Sequence, residues 1–327
     1  MAKNKQNLAD KSKSSNIYET IIIGGGIAGI SASIYAARKR MKYELIASDI
    51  GGQMYESGEI INYPGIKKST GSEFIKIFSD QLKFNDVKPI AENVKKVEKS
   101  GENFKVITDK KTYFTQTVII CTGARARKLN AKGEDKLAKR GVTYCAICDG
   151  PLFSGMDVAV IGGGDSASEA VHFLEKIAKK IYLINKNPAM KGHKYLIENL
   201  QRMQKEGKVE FVFNAHTKEF IGDKFLTGIK IEQNSQNGKS RKERIINVAG
   251  AFIEIGRVPN ADMVKGLVDL DDDGHVIIDK FCSSSVPGIF AAGDCTDVHG
   301  YQYAISSGHG VMCLLKAADY IAKKGNI

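Results

Sequence analysis

Apolar positions in this chain fall into short uninterrupted runs that end in glycine, and stretches of helical period separate them. Residues 18–23 (Tyr-Glu-Thr-Ile-Ile-Ile) form a β-branched run of the kind that fills a parallel strand buried on both faces. Gly24-Gly25-Gly26-Ile27-Ala28-Gly29 follows, and residues 30–40 carry an Ala-rich helical pattern. A second strand is expected at 43–47. Residues 71–84 read as an amphipathic helix with Phe74, Ile77, Phe78 and Leu82 on one face. Further β-rich segments cover 88–97, 104–108 and 113–121, the last running into Thr122-Gly123-Ala124.

From about residue 124 the pattern restarts. A strand at 157–161 leads into Gly162-Gly163-Gly164-Asp165-Ser166-Ala167, a helix at 168–178, a strand at 181–184 and a helix at 195–207. The segments 209–214, 220–222, 226–233 and 243–247 read as a β-meander with a polar turn at 234–239. A strand at 249–255 takes the chain back. Residues 286–294 end in Gly293-Asp294, and a last helix at 308–323 places Val311, Leu314, Leu315, Ala318 and Ile321 on its core side. Alternation of strand and helix predicts an α/β fold. It has two Rossmann-like three-layer domains, the second inserted into the first. The expected boundaries are 17–123 with 250–327 for the first domain and 124–249 for the second, after a disordered tail at 1–16.

Composition narrows the class. The 327 residues are 43% hydrophobic and 26% charged, which is globular, and no apolar run reaches the roughly 18 residues that span a bilayer. Six cysteines without an N-terminal apolar stretch do not make a secreted disulfide framework, so a reducing cytoplasm is expected. The formal charge of +11 suits anionic cofactors or an acidic partner. Aromatic and basic residues do not interleave as they do on nucleic-acid surfaces, so neither nucleic acid nor a membrane is expected as a partner.

The glycine turns carry the first candidate chemistry. Strand, G-x-G-x-x-G and helix in succession give a tight turn at Gly24, close backbone approach to a pyrophosphate at Gly26, and close helix packing at Gly29, with the helix N-terminus facing the phosphates. An acid at the end of the second strand normally holds a ribose hydroxyl. Here Glu44 comes early and Asp49 late, and Ser48 is the alternative. The second turn repeats the pattern with Ala167 in the packing position.

Between the two turns lies Cys145-Ala146-Ile147-Cys148-Asp149. Two sulfurs at this spacing can close and open a small disulfide, and a thiolate at a helix start is a better nucleophile near neutral pH. A zinc knuckle would need four ligands, but Cys121, Cys282, Cys295 and Cys313 are scattered and no histidine is near, so no metal is expected. An inert buried pair is the other alternative. Asp149 reads either as a proton donor to the leaving thiolate or as a helix-capping acid.

Taken together, the Cys145–Gly150 motif, the paired turns and Gly288-Ile-Phe-Ala-Ala-Gly293-Asp294 resemble the low-molecular-weight thioredoxin reductases, over roughly residues 18–323. The resemblance implies a homodimeric flavoenzyme that passes electrons from NADPH through FAD to the Cys145–Cys148 disulfide and on to thioredoxin or a thioredoxin-like protein. It implies FAD contacts at Gly24, Gly26, Gly29, Ser48, Gly52, Gln53, Asn62, Thr122, Gly123, Gly293, Asp294, Gln302, Tyr303 and Ala304. Nucleotide contacts fall at Gly162, Gly164, Asp165, Ser166, Ala167, Lys186 and Lys191. Cys148 matches the sulfur next to the flavin, Cys145 the one that attacks the partner, and Asp149 the family's acid. In the family the smaller domain rotates, and connections near 122–125 and 247–251 suit a hinge.

The chain departs from the NADPH-using members at two places. The stretch Asn185-Lys186-Asn187-Pro188, with Lys191, His193 and Lys194, lacks their arginine forks for the 2′-phosphate, and no acid marks an NADH site either. Tyr301 stands where they carry arginine beside the flavin. NADH, ferredoxin or a reduced deazaflavin are therefore alternative donors. His309 has no acid nearby and reads as a helix-entry residue. Peroxidase-linked relatives carry an extra N-terminal domain, which residues 1–16 are too short to supply. A non-catalytic flavin sensor using the same cysteines is the alternative from another class.

Overall fold

The computed structural model describes residues 17–57, 59–60, 62–234, 241–298 and 300–325. The expected 1–16 tail and most of the 234–239 turn fall outside them. The described residues form two compact units. The first holds the chain to Tyr55, Ile60–Arg125 and the chain from Val258; the second holds Ala126–Arg257 with the short piece Glu56–Glu59.

In the first unit, β1 (Ile17–Ile23) leads into α1 (Ile27–Arg38), followed by β2 (Tyr43–Ile46), α2 (Gly71–Phe84), β3 (Val94–Ser100), β4 (Asn103–Thr108) and β5 (Thr112–Ile120). β1 is central, parallel to β2 and to β5. Its isoleucines at 21, 22 and 23 are buried, each contributing about 1.5–3 kcal/mol. β3, β4 and β5 form an antiparallel meander. Helix α2 has the bounds the sequence predicts because Thr70 and Glu73 close a capping box at its start. Phe74, Phe78 and Leu82 face the core, but Ile77 is exposed.

The second unit runs through β6 (Val142–Thr143), α3 (Ala146–Asp149), β7 (Asp157–Ile161), α4 (Asp165–Leu174), β8 (Lys180–Ile184), α5 (Lys194–Lys205) and β9 (Val209–Val212). An antiparallel meander follows, β10 (Ala215–Gly222), β11 (Leu226–Asn234) and β12 (Arg241–Ile246), and then β13 (Gly250–Ile253). Its parallel sheet has the order β9-β8-β7-β13-β6. The strand expected to take the chain back at 250 is therefore an interior strand of this sheet, paired with β7 and β6. The return comes at Val258 instead.

Back in the first unit, β14 (Ile289–Ala291) pairs with the second half of β5, on the edge whose first half pairs with β4. The last helix, α6 (Tyr303–Gly325), begins five residues before the expected 308. It buries Ser306, Gly310, Cys313, Leu314 and Ala317, whereas Leu315 is exposed. Small residues set that face: a Cβ on Gly310 would lie 2.1 Å from the Ala28 carbonyl oxygen of α1. His309 is consequently inside the helix, not at its entry. Among the described residues no helix is long and apolar enough to cross a membrane.

Candidate functional site

The first glycine turn shows why its residues are fixed. Gly24 has φ +112° and a Cβ there would lie 2.3 Å from the Cys121 carbonyl oxygen; one on Gly29 would lie 1.9 Å from the Gly24 oxygen. Gly26 differs, since a Cβ there meets nothing within 4 Å. It caps α1 in extended conformation, with no side-chain cap and no acid in the first turn. The helix starts at Ile27 and not at 30, so its N–H groups face open space beside Gly26, and this cradle fits a pyrophosphate.

Residues from several further segments meet within the same unit. Gln53 Nε2 donates to Asp294 Oδ2 at 2.7 Å, and Ser306 Oγ donates to Asp294 Oδ1 at 3.3 Å. Gly293, at φ +75°, leaves no room for a side chain against Ser306. Gly123, at φ +62°, lies near Gln53 Nε2. Asn62 Nδ2 donates to Gln302 Oε1 at 3.0 Å. Tyr63 stacks edge-on against Phe74 with ring centroids 5.0 Å apart, and Tyr303 tilts against Phe74 at 5.5 Å. Ala304 is exposed in the first turn of α6. Gln53, Gly123, Asp294 and Ser306 are thus brought together, Asn62 meets Gln302, and the uncapped helix and open Gly26 fit a dinucleotide. Gly52 (φ +51°) would place a Cβ 3.3 Å from Gly26 Cα. The Asp49 carboxylate accepts from Ser48 Oγ at 2.9 Å and from the Gly52 N–H at 3.2 Å, so both candidate ribose groups are held on one exposed loop.

Asn260 is a site residue that the sequence does not single out. Its Nδ2 donates to the Thr122 carbonyl at 3.0 Å, its N–H to the Gly123 carbonyl at 2.9 Å, and its own carbonyl accepts from Thr122 Oγ1. Arg125 Nη1 donates to its Oδ1 at 2.7 Å. It clamps the Thr122–Gly123 turn from 138 residues away. A contact across that separation has no local signal in the sequence. Another unpredicted group is His275, which lies buried between Asp271 and the Tyr301 hydroxyl, 3.2 Å from its Nε2.

In the second unit Cys145 is disulfide-bonded and precedes the one-turn helix α3. The side chain of Cys148 lies outside the described residues. Cys121, Cys282, Cys295 and Cys313 are free and buried. Burial pushes the Cys121 and Cys295 thiols up, which removes them from thiolate chemistry. Among the described residues no three or more His, Cys, Asp or Glu side chains are placed to hold a metal. Asp149 ends α3 and makes no side-chain capping bond to the turn Gly150–Phe153. Its carboxylate accepts from Thr143 Oγ1, and that oxygen also accepts the Cys145 N–H at 3.3 Å. Threonine, cysteine and aspartate therefore form one linked group.

The second glycine turn has the same open position. A Cβ on Gly164 meets nothing within 4 Å, whereas one on Gly162 would strike the Glu254 carbonyl. Helix α4 starts at Asp165, so Asp165, Ser166 and Ala167 lie in its first turn. The loop expected to hold a 2′-phosphate folds back on this turn. The Lys191 N–H donates to the Gly163 carbonyl at 2.7 Å, and the His193 N–H and Nδ1 each lie 2.8 Å from the Asp165 carboxylate. Asn185 is buried, with Nδ2 donating to the Ala189 carbonyl and Oδ1 accepting the Asn187 N–H. Lys186, Lys191 and Lys194 are exposed.

A family model described as pyridine nucleotide-disulphide oxidoreductase matches residues 18–313. The F component of the alkyl hydroperoxide reductase of Staphylococcus epidermidis is 39% identical over 308 residues, covering 94% of this chain and 59% of the relative. The chain thus spans about three-fifths of the length of the curated relatives it matches. Thioredoxin reductase of Lactococcus lactis, solved in the FR conformation, aligns with TM-score 0.77 and 32% identity over 94% of this chain and 99% of that one. Thioredoxin reductase of T. acidophilum aligns with TM-score 0.74 and 32% identity over the same shares. The expected α/β fold with Rossmann-like sheets, and the likeness to low-molecular-weight thioredoxin reductases, are both shown by these matches.

Proposed function

The chain belongs to the pyridine nucleotide-disulphide oxidoreductase family, and we propose that within it the protein is a flavin-dependent thioredoxin-disulfide reductase. One observation carries this reading: a disulfide-bonded cysteine, an acid and a dinucleotide-type glycine turn occur together in one unit. In the first unit FAD would be held by Gly24, Gly26 and Gly29 at the pyrophosphate, with Gln53, Asn62, Thr122, Asp294 and Gln302 around the rest. When bound, FAD supplies two-electron carriage between a nicotinamide donor and a disulfide.

The chain's own groups do the remaining work. Thr143 holds the Asp149 carboxyl and the Cys145 backbone in one arrangement. Asp149 moves the proton to and from the thiol that leaves when the disulfide opens. Cys145 is the sulfur that attacks the partner's disulfide, and Cys148 closes the bond again. NADPH is the proposed donor, its phosphates at Gly162, Gly164 and Ala167 and its 2′-phosphate met by Lys186 and Lys191 as point charges. The assembly is a homodimer in the cytoplasm.

Stopped-flow mixing of the flavin-loaded protein with a donor and thioredoxin tests the reading. The Cys145→Ser/Cys148→Ser variant is expected to lose at least about 10³-fold in partner reduction while its flavin is still reduced by the donor. Unchanged turnover in that variant defeats the proposal. The alkyl hydroperoxide reductase relatives favour a second partner, a peroxidase-type protein disulfide. Running both partners side by side, with NADPH, NADH and reduced ferredoxin as donors, decides among them.

A further inference from the structure

Glu254 follows β13 and meets both chemical elements of the second unit. Its N–H donates to the Ile161 carbonyl at 2.8 Å, and its own carbonyl lies where a Cβ on Gly162 would come within 2.1 Å. Its backbone therefore braces the second glycine turn. Its carboxyl accepts a hydrogen bond from the N–H of Ala146, the residue next to Cys145. The charged groups that face it are Arg257, which favours its ionised form, and Glu169 of α4, which opposes it. Cys145 lies on the other side of the peptide that Glu254 faces, and Asp149, at the end of α3, turns its carboxylate to Thr143. Burial outweighs the attractive contacts and pushes the carboxyl up to about 7. The charge of Glu254 is thus exchangeable near neutral pH.

A disulfide is neutral, but its reduction with one sulfur left as a thiolate brings a negative charge to the peptide that Glu254 already faces. Two anions on one partly buried peptide repel, and the cheaper response is for one to take a proton. We propose that Glu254 is a positioning residue for the dithiol: it takes up a proton when the disulfide is reduced and releases it when the disulfide re-forms, so that Cys145 is delivered as a thiolate without a second negative charge. The step balances. Two electrons from a reductant break the S–S bond. One proton, passed by Asp149, makes one sulfur a thiol; the Cys145 sulfur keeps the other electron pair; the second proton goes to the Glu254 carboxylate. When the Cys145 thiolate attacks a partner disulfide and the bond closes again, Glu254 gives its proton back. The inference rests on the reading that this disulfide is redox-active, but on neither the donor nor the partner.

The test is the equilibrium of the flavin-loaded protein with dithiothreitol across roughly pH 5.5–8.5, where the reagent itself carries two protons. The reduced fraction is read by alkylation and mass spectrometry of the peptide containing Cys145. Where Glu254 is already protonated, reduction releases one of the reagent's two protons, and the constant favours the reduced protein about tenfold more per pH unit. Above its titration both protons are kept and the constant goes flat. Wild type is therefore expected to bend near pH 7, an outcome that needs no variant. Glu254→Gln, which keeps an acceptor for the Ala146 N–H, is expected to continue rising tenfold per unit throughout. Profiles of the same shape in the two proteins, whether both sloped, both flat or both bent, overturn the proposal. Failure of the disulfide to open or re-form at all defeats the proposed function, whereas a bend in a protein that reduces no thioredoxin leaves this inference standing.

Discussion

In the first unit the carbonyl of the middle glycine, Gly25, accepts the Gly51 N–H at 2.9 Å; in the second, the Gly163 carbonyl accepts the Lys191 N–H at 2.7 Å. Both turns thus hold the loop after the second strand by the same bond, and both leave the last glycine before the helix, Gly26 or Gly164, open to a ligand. They differ in where negative charge sits. Helix α1 has no acid in its first turn, while α4 has Asp165, already bound to His193. The residue whose carbonyl packs on the first glycine differs too: Gly24 meets that of Cys121, after β5, whose thiol is buried and neutral, and Gly162 meets that of Glu254, after β13, whose side chain is an ionisable carboxyl. Shared glycines define a shared chassis, and the polar residues around them decide what each turn does. The first is arranged to receive an anion without competition. The second brings carboxylates of its own.

The largest effect that would sharpen this comparison is at the packing glycine. Gly29→Ala would push a methyl to 1.9 Å from the Gly24 oxygen, and a loss of about 3 kcal/mol with loss of bound flavin is expected. Ala167→Gly at the matching place in α4 is expected to cost only about 1 kcal/mol. Thermal unfolding and flavin absorbance measure both, and equal small losses would break the contrast.

Glu254→Gln comes next. A carboxyl raised from 4.5 to about 7 on folding holds its proton more tightly in the folded state. Its contribution is therefore complete below the ordinary carboxylate range and is lost as pH rises to about 7. Denaturant unfolding of wild type should weaken by about 3 kcal/mol across that interval, and the Gln variant should not share this fall. Parallel curves would remove the difference between the two strand ends.

The smallest effect is expected at Asp165. Its pair with His193 is substantially exposed, with 38% and 71% of the side chains accessible, so Asp165→Asn should change stability by less than about 1 kcal/mol. Removing its charge from the start of α4 should lower the nicotinamide nucleotide KM about threefold. An increased KM would mean that the carboxylate assists the nucleotide by ordering the 191–193 loop.

Much of this is legible in the sequence because its causes are local. The β-branched runs mark β1 and β7, and the glycine spacing places the open positions 26 and 164. The Thr70–Glu73 box sets α2. Helix starts at 27, 165 and 303 come earlier than expected; the first two follow directly on an extended glycine, not where apolar periodicity becomes clear. β13 belongs to the second unit and not, as expected, to the first, since a buried parallel strand carries the same pattern in either sheet. The core face of α6 differs from the expected one because Gly310 and Ser306, not the larger apolar residues, allow close approach to α1. Asn260, His275 and Glu254 escape a reading of the sequence for a common reason: their partners at 122, 301 and 146 lie far away in the chain.

The pairing of β14 with β5 also affects how the protein comes off the ribosome. Val118 and its strand are made early, but the neighbour at Ile289 emerges only after all of Ala126–Arg257 has been synthesised. That intervening stretch is nearly continuous and can settle while translation proceeds, whereas the first unit must wait with an incomplete sheet edge. A nascent chain stalled before residue 289 should therefore protect the later-starting unit from protease and leave the earlier-starting one open to cleavage.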